Sequence, residues 1–347
     1  MNNKPKTVQD ANLNGKTVLL RADLDVSLDK GKIAEDIRLE ASLDTINFLL
    51  KRSKSVIVMG HLGRPVGEDK NFSLRIVAQW YANRLDGQLT EIEAGGFKGW
   101  KILPGLILLE NLRFYKEEEE NNEDFSKKLS FLADIYVNDA FASSHRAHAS
   151  IVGAAKFLPH FSGLRLEKEV EELSAVIKDP KRPLTVIIGG AKIETKLPLV
   201  EKMHKFADFV LVGGELSEQD KVLLKVMHEK VDRIKSILLV ADLMESKKEI
   251  TEYSTENFIQ VINKSSTVVW NGPMGLVEER EYSKETLRLA QAIVNSQSYS
   301  IVGGGDTIAF LNKEDILDKF SFVSMGGGAM LEFLAGENLP GIEALLS

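Results

Sequence analysis

The feature that most constrains the fold is a repeated order of short apolar runs, polar or glycine-rich loops and longer segments of helical periodicity. Strands that alternate with helices in this way are typical of βαβ units and a mostly parallel sheet. The runs are apolar at nearly every position, as expected for strands that helices cover on both faces. Strands are predicted at Thr17–Leu20, Ser55–Met59, Leu106–Leu109, Ile135–Val137, Leu184–Ile188, Phe209–Val212, Ser236–Val240, Thr267–Trp270, Ser300–Val302 and Ser321–Val323.

A charged segment in the middle of the chain separates two sets of strands. Glu167–Lys178, which Pro180 and Pro183 follow, is interpreted as a helical connector. The 347 residues are enough for two domains at ~150 residues each. We therefore predict an N-terminal domain over residues 1–165 and a C-terminal domain over 166–335 that includes the connector helix. Both are expected to be α/β domains with helices covering a mostly parallel sheet.

The loops that follow the strands differ between the two halves. Ligands of open parallel sheets bind outside the carboxyl ends of the strands, so residues in these loops are expected to face ligands. Arginine forks suit phosphate and carboxylate oxygens, whereas glycine loops that open helices present backbone N–H groups to phosphate. Two such sites predict two polyanionic ligands and therefore phosphoryl transfer. The first half supplies Arg21, His61, Arg64, Arg113, His145, Arg146 and His148, and the second supplies Gly189-Gly190, Gly213-Gly214, Gly272, Gly275, Gly303-Gly304-Gly305 and Gly326-Gly327-Gly328.

Composition excludes several other classes of protein. A net charge of -7 argues against general nucleic-acid binding, and the absence of cysteine excludes disulfides and thiolate metal sites. No run approaches the ~20 apolar residues of a membrane helix, and the start of the chain lacks the apolar core of a signal peptide. We therefore expect a cytoplasmic protein that contacts neither membranes nor nucleic acid. The acidic run Glu117–Glu120 is interpreted as a solvated surface.

Two common nucleotide-binding motifs are rejected. Gly15-Lys16-Thr17 resembles the end of a Walker A loop, but it precedes its strand, and Asp10 stands where the earlier glycine is required. A dinucleotide fingerprint is also missing, since Ile308 and Leu331 occupy the third glycine position after the two Gly-x-Gly sequences. The phosphate site must therefore be of another type.

Several residues allow both a functional and a structural interpretation. Lys192 and Lys196 are four residues apart, so on a helix they would share a face and repel each other unless an anion lies between them; ordinary surface lysines are the alternative. Asp306 is either a helix cap or a ligand of Mg²⁺ on a nucleotide phosphate. His145 and His148 are either ligands of the anion or structural histidines, and no zinc-site spacing is present.

With these residues laid out, the sequence resembles the phosphoglycerate kinases over nearly its whole length. The resemblance depends on several motifs that occur together and in order. They are Leu20-Arg21-Ala22-Asp23-Leu24-Asp25-Val26, Asp36-Ile37-Arg38, Gly60-His61-Leu62-Gly63-Arg64-Pro65, Glu110-Asn111-Leu112-Arg113-Phe114, Val137-Asn138-Asp139-Ala140-Phe141, His145-Arg146-Ala147-His148, Gly189-Gly190-Ala191-Lys192, Trp270-Asn271-Gly272-Pro273-Met274-Gly275, Val302-Gly303-Gly304-Gly305-Asp306-Thr307, Gly326-Gly327-Gly328-Ala329 and Leu339-Pro340-Gly341.

The resemblance implies a fold and a reaction. A helix would join two Rossmann-like domains, and the C-terminal tail, residues 336–347, would return to the N-terminal domain. The enzyme would transfer a phosphoryl group reversibly from 1,3-bisphosphoglycerate to ADP in glycolysis, giving 3-phosphoglycerate and ATP with Mg²⁺. We expect a monomer whose domains close for catalysis, because the two substrates would bind to separate domains.

Site residues are carried over position by position from the family. The resemblance implies that Asp23, Leu24, Asp25, Arg38, His61, Leu62, Gly63, Arg64, Arg113 and Arg146 bind phosphoglycerate. It implies that Gly190, Lys192, Lys196, Gly214, Asn271, Pro273, Glu278, Gly304, Gly305, Asp306 and Thr307 bind the nucleotide, with Glu278 at the ribose and Asp306 at the metal ion. Arg38, Lys192, Gly326 and Gly327 would act on the transferring phosphoryl group.

The sequence also departs from the family pattern. Asp25 stands where the family usually has Asn, which is unfavourable near an anionic substrate unless an arginine neutralises it. Met325 replaces the usual Thr, and the stretch from Gly214 to Trp270 is several dozen residues shorter than usual. The trimmed nucleotide side leaves an alternative open, a non-catalytic binding or regulatory protein on the same scaffold. Retention of Lys192, Lys196, Asp306 and Arg38 favours the enzyme.

Overall fold

The computed structural model describes residues 4–190, 197–214 and 236–346. The chain divides into two compact units, the first comprising Met1–Val170 with Asn338–Ser347 and the second Glu171–Glu337. The division falls inside a helix that begins at Leu164 and ends at Lys178, so the charged connector is helical. No helix in the described ranges is long and apolar enough to cross a membrane.

Strands in the described residues keep the predicted order. Those of the first unit are β1 (Thr17–Arg21), β2 (Leu28–Asp29), β3 (Lys32–Ile33), β4 (Ser55–Met59), β5 (Thr90–Ala94), β6 (Phe97–Leu103), β7 (Leu106–Leu109), β8 (Ile135–Asn138) and β9 (His160–Ser162). Those of the second unit are β10 (Leu184–Ile188), β11 (Phe209–Val212), β12 (Ile237–Val240), β13 (Thr267–Asn271), β14 (Tyr299–Gly303) and β15 (Phe322–Ser324).

Helices connect these strands and cover the sheets. They are α1 (Ile37–Leu50), α2 (Arg75–Arg84), α3 (Lys116–Glu119), α4 (Glu123–Ser130), α5 (Leu164–Lys178), α6 (Leu197–Met203), α7 (Glu252–Ile262), α8 (Lys284–Asn295), α9 (Gly305–Lys313), α10 (Gly328–Leu334) and α11 (Pro340–Glu343).

The first unit is built on a seven-stranded sheet in the order β5-β6-β7-β4-β1-β8-β9. The pairs β7·β4, β4·β1, β1·β8 and β8·β9 are parallel, whereas β5 and β6 are antiparallel additions at one edge. β1 is the middle one of the five parallel strands, and Val18, Leu19 and Leu20 are fully buried because helices cover both faces. From the tail, the Gly341 N–H donates to the Ser144 carbonyl at 2.8 Å.

The second unit contains a six-stranded parallel sheet in the order β12-β11-β10-β13-β14-β15. β10 and β13 are buried at every position, so the centre of this sheet is also covered on both faces. Two mostly parallel sheets flanked by helices confirm the predicted α/β class. Every predicted strand is present, with each end within one residue of the prediction.

Five strands were missed, all in the first unit: β2, β3, β5, β6 and β9. β5 reads Thr-Glu-Ile-Glu-Ala and is largely exposed at the edge, so it has no apolar run to mark it. β6 contains Gly99 and two lysines. Gly99 belongs there because an added Cβ would meet the Leu108 carbonyl oxygen of β7 at 2.4 Å.

Candidate active site

Positively charged side chains collect at the carboxyl edge of the first unit's sheet. β1 pairs in parallel with β4 and β8, so the loops that follow these strands leave the sheet side by side. The loop after β4 carries His61 and Arg64, the loop after β7 carries Arg113, and the loop after β8 carries Arg146. Helix α1 adds Arg38 from its first turn. These five residues are called the cation cluster.

Arg38 is fixed by two acidic residues in the loop after β1. Its NH1 donates to the backbone carbonyl of Asp25 at 2.7 Å, and its Nε lies 3.7 Å from Oδ2 of Asp23. Burial raises the pKa of Asp23, an effect that Arg38 opposes, and Asp23 in turn raises the pKa of Arg38. Both Asp23 carboxylate oxygens are buried without a hydrogen-bond donor. Such a carboxylate gains stability when a ligand supplies a hydroxyl group.

Asp25 is accommodated in a way that the sequence did not indicate. Its carboxylate would be unfavourable beside an anionic substrate unless an arginine neutralised it, and Arg38 binds the backbone oxygen of Asp25. Oδ1 of Asp25 accepts the Gly63 N–H at 2.8 Å, and Oδ2 lies 3.7 Å from Nε2 of His61. The carboxylate therefore ties the loop after β1 to the loop after β4.

Arg113 is buried within the cluster, with 5% of its surface exposed. Its NH1 donates to the Gly63 carbonyl at 2.6 Å, and its Nε lies 3.2 Å from Oε1 of Glu119. Burial and the nearby Arg146 lower the pKa of Arg113 to about 10. Its NH2 is buried without an acceptor, which marks a position where an anion would be stabilised.

Arg64 and Arg146 are less constrained than Arg113. Arg64 is exposed and makes no hydrogen bond or ion pair with any residue that the structure describes. Arg146 is half-buried, and its Nε donates to Nε2 of His145 at 3.1 Å. Leu24 and Leu62 are buried on either side of these loops, so they contribute packing beneath the site.

Sequence reasoning gave other roles to the residues that support the cluster or left their roles open, since Arg21 was expected to face a ligand and His148 was either a ligand or structural. Arg21 is fully buried and binds Ser150 and His61, so it is a structural residue and not a surface cation. Glu118 is 1% exposed and accepts two hydrogen bonds from Ser150, so the interpretation of the acidic run as solvated is wrong at this position. Burial and Arg113 lower the pKa of His148 to about 3, which keeps this histidine neutral. No sequence pattern distinguishes Glu118 from its exposed neighbours.

Glycines occupy the equivalent edge of the second unit's sheet. Gly189-Gly190 follows β10, Gly213-Gly214 follows β11, Gly272 follows β13, and Gly304-Gly305 follows β14. All strands of this sheet are parallel, so these loops open at one edge. Their backbone groups line much of the described part of this edge.

The glycine loops pack directly on one another. Gly214 has φ +90°, and an added Cβ would meet the Gly190 carbonyl oxygen at 2.4 Å. Gly272 has φ +94°, and its added Cβ would meet the Gly189 carbonyl oxygen at 2.1 Å. The Gly190 N–H donates to the Pro273 carbonyl at 2.7 Å. Only glycine allows both the positive φ and this close approach of backbones.

The loop after β14 leads directly into helix α9, which begins at Gly305. Gly304 is the N-cap, with no side-chain cap, so the structure excludes Asp306 as the helix cap. The Asp306 carboxylate is exposed in the first turn and forms no ion pair within the described ranges. Thr307 is buried, and its Oγ1 has no hydrogen-bond partner. The helix start therefore offers backbone N–H groups together with one available carboxylate.

The loop after β15 is joined to β13 by one side chain. Nδ2 of Asn271 donates to the Gly327 carbonyl at 3.1 Å. The Gly326 N–H donates to Oγ of Ser324 at 3.2 Å, and Met325, which replaces the family's Thr, is buried. A hydroxyl group is thus retained next to this loop, one residue before Met325.

A cavity of about 180 Å³ adjoins the glycine loops. Gly190, Gly214 and Pro273, which were predicted to bind the nucleotide, line one side. Glu278 is exposed two residues beyond Leu276, one of the lining residues. Gly275, which was expected to face the ligand, and Met274 beside it also line the cavity. The sequence did not indicate the other lining residues, which are Leu243, Ser246, Lys247, Lys248 and Leu276.

Some predicted residues lie outside the described ranges. Lys192 and Lys196 are among them, as is the loop Glu215–Lys221. In the part of the chain that is described, no group of three or more His, Asp or Glu side chains lies close enough together to hold a metal ion.

Comparison with known proteins identifies the family. The model of the phosphoglycerate kinase family matches residues 8–252 and 218–337. A phosphoglycerate kinase of Finegoldia magna is 39% identical, with 98% of each chain covered. The chain belongs to the phosphoglycerate kinase family. Two solved structures of this family, from Pyrococcus horikoshii and Coxiella burnetii, have TM-scores of 0.83 and 0.81 at 31% and 32% identity, again with 98% of each chain covered.

The comparison also bears on the length of the chain relative to other phosphoglycerate kinases. The alignment with the Finegoldia magna protein extends over 390 positions, whereas this chain has 347 residues. At least 43 aligned positions (390 less 347) therefore have no counterpart here. The location of the missing positions between Gly214 and Trp270 is still a prediction from the sequence.

Proposed function

We propose that the protein catalyses reversible phosphoryl transfer from 1,3-bisphosphoglycerate to ADP, giving 3-phosphoglycerate and ATP in glycolysis. This makes it a phosphotransferase with a carboxyl group as acceptor, acting in the cytoplasm. The observation that carries the proposal is the cation cluster, in which arginines with available donors adjoin a buried carboxylate without a donor, Asp23. Phosphoglycerate combines a phosphate, a carboxylate and a hydroxyl group, which match these partners.

On the phosphoglycerate side, the roles follow from exposure and contacts. Arg64, Arg113 and Arg146 bind the phosphate that does not react, because their guanidinium groups have donors to spare. Asp23 accepts the substrate hydroxyl, and Asp25 holds the Gly63 loop in place. Arg38, at the start of α1, faces the carboxyl group that accepts the phosphoryl group.

On the nucleotide side, the cavity beside Gly190, Gly214 and Pro273 takes the base, and Glu278 binds the ribose. The Gly304, Gly305 and Thr307 backbone, with Asn271 beneath, adjoins the phosphates, where a helix start favours negative charge. Lys192 and Lys196 complete the phosphate site by analogy with the family.

The chemistry requires positioning and charge neutralisation more than covalent catalysis. Both attacking groups, a carboxylate and an ADP phosphate, are ionised at neutral pH, so no general base is needed. Arg38 and Lys192 stabilise charge on the transferring group, and the Gly326 and Gly327 N–H groups donate to it. We expect no phosphorylated side chain during turnover.

Mg²⁺ fits one position in this arrangement. Asp306 is an exposed carboxylate beside the glycine loop, and Mg²⁺ is commonly held by one or two carboxylates plus phosphate oxygens. The absence of a larger acidic group among the described residues agrees with a metal ion that arrives with the nucleotide. When bound, Mg²⁺ would neutralise phosphate charge. Asp306→Asn tests this role and should raise the Mg²⁺ concentration needed for half-maximal activity.

A coupled assay tests the function. ADP formation from ATP should require 3-phosphoglycerate and Mg²⁺ and should be absent when either is omitted. ADP formation that does not depend on 3-phosphoglycerate would contradict the assignment. We also propose that the domains close during turnover, in which case small-angle scattering should give a smaller radius of gyration with both substrates than with neither.

A further inference from the structure

A buried chain of hydrogen bonds leads from Glu118 to His61, behind the cation cluster. Oε1 of Glu118 accepts from Oγ of Ser150 at 2.5 Å, and Oγ of Ser150 accepts from Nε of Arg21 at 2.9 Å. NH2 of Arg21 lies 2.8 Å from Nδ1 of His61. Glu118, Ser150 and Arg21 are each at most 1% exposed, so water does not compete for these bonds.

The chemistry of the donors fixes every proton in this chain. A guanidinium group has only donors, so Arg21 must donate both to Ser150 and to His61. The Ser150 hydroxyl must therefore direct its own hydrogen to Glu118. Nδ1 of His61 must be an acceptor, which leaves the ring proton of the neutral histidine on Nε2. That N–H lies on the side of Asp25, where Nε2 is 3.7 Å from Oδ2.

Arg21 is fully buried, and each nitrogen of its guanidinium group contacts a protein group. Its third nitrogen, NH1, donates to the Ala22 carbonyl. A buried guanidinium needs a nearby negative charge, and Glu118 is the carboxylate that Ser150 connects to it. The Ser150 N–H also donates to Oε2 of Glu118 at 2.9 Å, so Ser150 binds both carboxylate oxygens.

The neighbouring residue of the acidic run reaches the cluster by a second route. Glu119 lies 3.2 Å from Nε of Arg113, whose NH1 binds the Gly63 carbonyl. The Gly63 N–H in turn binds Asp25. Two consecutive glutamates thus support the two sides of the loop that carries His61 and Arg64.

We propose that Glu118 is a positioning residue for the phosphoglycerate site. It holds Arg21 through Ser150 and thereby fixes His61 as the Nε2–H tautomer, a permanent hydrogen-bond donor to the substrate. This proposal rests on the proposed function for the identity of the ligand. The arrangement of Glu118, Ser150, Arg21 and His61 rests on the geometry alone.

Nitrogen-15 NMR of histidine-labelled protein reads the tautomer directly. The resonances of His61 are assigned by their loss in His61→Gln. The unsubstituted protein should show a single neutral ring with the proton on Nε2 at pH 7. Ser150→Ala and Glu118→Gln should each give a mixture of tautomers, because Arg21 is no longer held. Glu117→Gln, an exposed change of the same charge one residue away, should leave the tautomer unchanged.

Steady-state kinetics on the same variants separate positioning from general damage. Ser150→Ala and Glu118→Gln should raise KM for 3-phosphoglycerate about tenfold, or ~1.4 kcal/mol, and should change kcat much less. Glu117→Gln should change neither. If Glu118→Gln does not fold, Ser150→Ala decides, because it breaks the same chain with a smaller change.

Two results would overturn the proposal. One is a His61 ring with its proton on Nδ1 in the unsubstituted protein. The other is an unchanged tautomer and an unchanged KM in both variants. Absence of phosphoglycerate-dependent activity in the unsubstituted protein would instead contradict the proposed function, and the NMR result would still decide the role of Glu118.

Discussion

The two units build their ligand-binding edges by opposite means. In the first, polar and charged side chains provide the candidate site, and buried side chains hold some of them in place, as Arg21 and Ser150 hold His61. In the second, the backbone provides the described part of the site, and strand ends place Gly190 and Gly214 against one another. The site of the first unit depends on a network of side-chain hydrogen bonds, and the site of the second unit depends on backbone conformation.

This difference indicates which of the two sites tolerates a deletion in the surrounding chain. A side-chain network fails when one buried partner is removed, because the remaining polar groups lose their hydrogen bonds. A backbone site survives as long as its strands and glycines stay in place. The chain is at least 43 positions shorter than the aligned length with its Finegoldia magna relative, yet Gly190, Gly214, Gly272 and Gly304 lie at the ends of their strands. We therefore predict that the loss affects binding of the base much more than binding of the phosphates.

The largest effect is expected at Arg38, where the side-chain site meets the reaction. Arg38→Ala should lower kcat about 10²–10³-fold, or ~2.7–4 kcal/mol, because the donor acts where charge develops in the transition state. Lys51→Ala, which removes an exposed charge at the other end of α1, should leave kcat unchanged. A rise in KM with kcat intact would assign Arg38 to ground-state binding instead.

The backbone site should be sensitive to a single methyl group. Gly214→Ala should destabilise the protein by about 1–3 kcal/mol, because alanine is strained at φ +90° and its Cβ meets the Gly190 carbonyl. Gly305→Ala is the matched control, since its φ is not positive and no atom lies within 4 Å of the added Cβ. Urea unfolding should show a loss for the first and almost none for the second. Equal losses would contradict the conformational argument.

The sequence predicted the strands of both central sheets because buried parallel strands are apolar at nearly every position. β1 and β10 are examples, and each is buried almost throughout. β5 and β6 were missed for the opposite reason: they are antiparallel at a sheet edge, and β5 carries two glutamates on a largely exposed surface. Edge strands depend on neighbours that a local pattern does not reveal.

The candidate site was predicted to about the same extent as the fold. Loops after strands gave His61 and Arg113, because topology places these loops at one edge, whereas Arg38 came from the resemblance to the family. The sequence pattern did not predict which individual residues are buried. Glu118 and Glu117 are identical neighbours, and only the packing of α3 against the segment that carries Ser150 buries one of them. The groups that Arg38 and Asp25 bind likewise depend on the tertiary structure.

A smaller effect on activity is expected for the arginines proposed to bind the phosphate that does not react. Arg64→Ala and Arg146→Ala should each raise KM for 3-phosphoglycerate about tenfold and change kcat less, because the contact is the same in ground and transition states. Arg84→Ala, an exposed arginine paired with Glu40, is the control and should change neither. A fall in kcat larger than the rise in KM would place either residue at the reacting group.

The least selective part of the molecule is expected to be the cavity for the base. Its apolar lining comes from Leu243, Met274 and Leu276, and its polar lining includes Lys247 and Lys248. Nζ of Lys248 already lies 2.9 Å from both carboxylate oxygens of Glu279. Lysine offers only donors, which suit the O6 acceptor of guanine at least as well as the N1 acceptor of adenine. None of these residues rejects guanine.

Phosphate contacts do not distinguish adenine from guanine, so discrimination must come from this cavity. We predict that ADP and GDP bind within about tenfold of each other, or ~1.4 kcal/mol, and that ADP binds weakly because a shortened wall buries less apolar surface. Titration calorimetry with both nucleotides measures the difference. Lys247→Ala should shift it by less than tenfold, towards ADP. A preference for ADP of about a hundredfold, or ~2.7 kcal/mol, would mean that another segment completes the wall, for which Glu215–Lys221, outside the described residues, is the candidate.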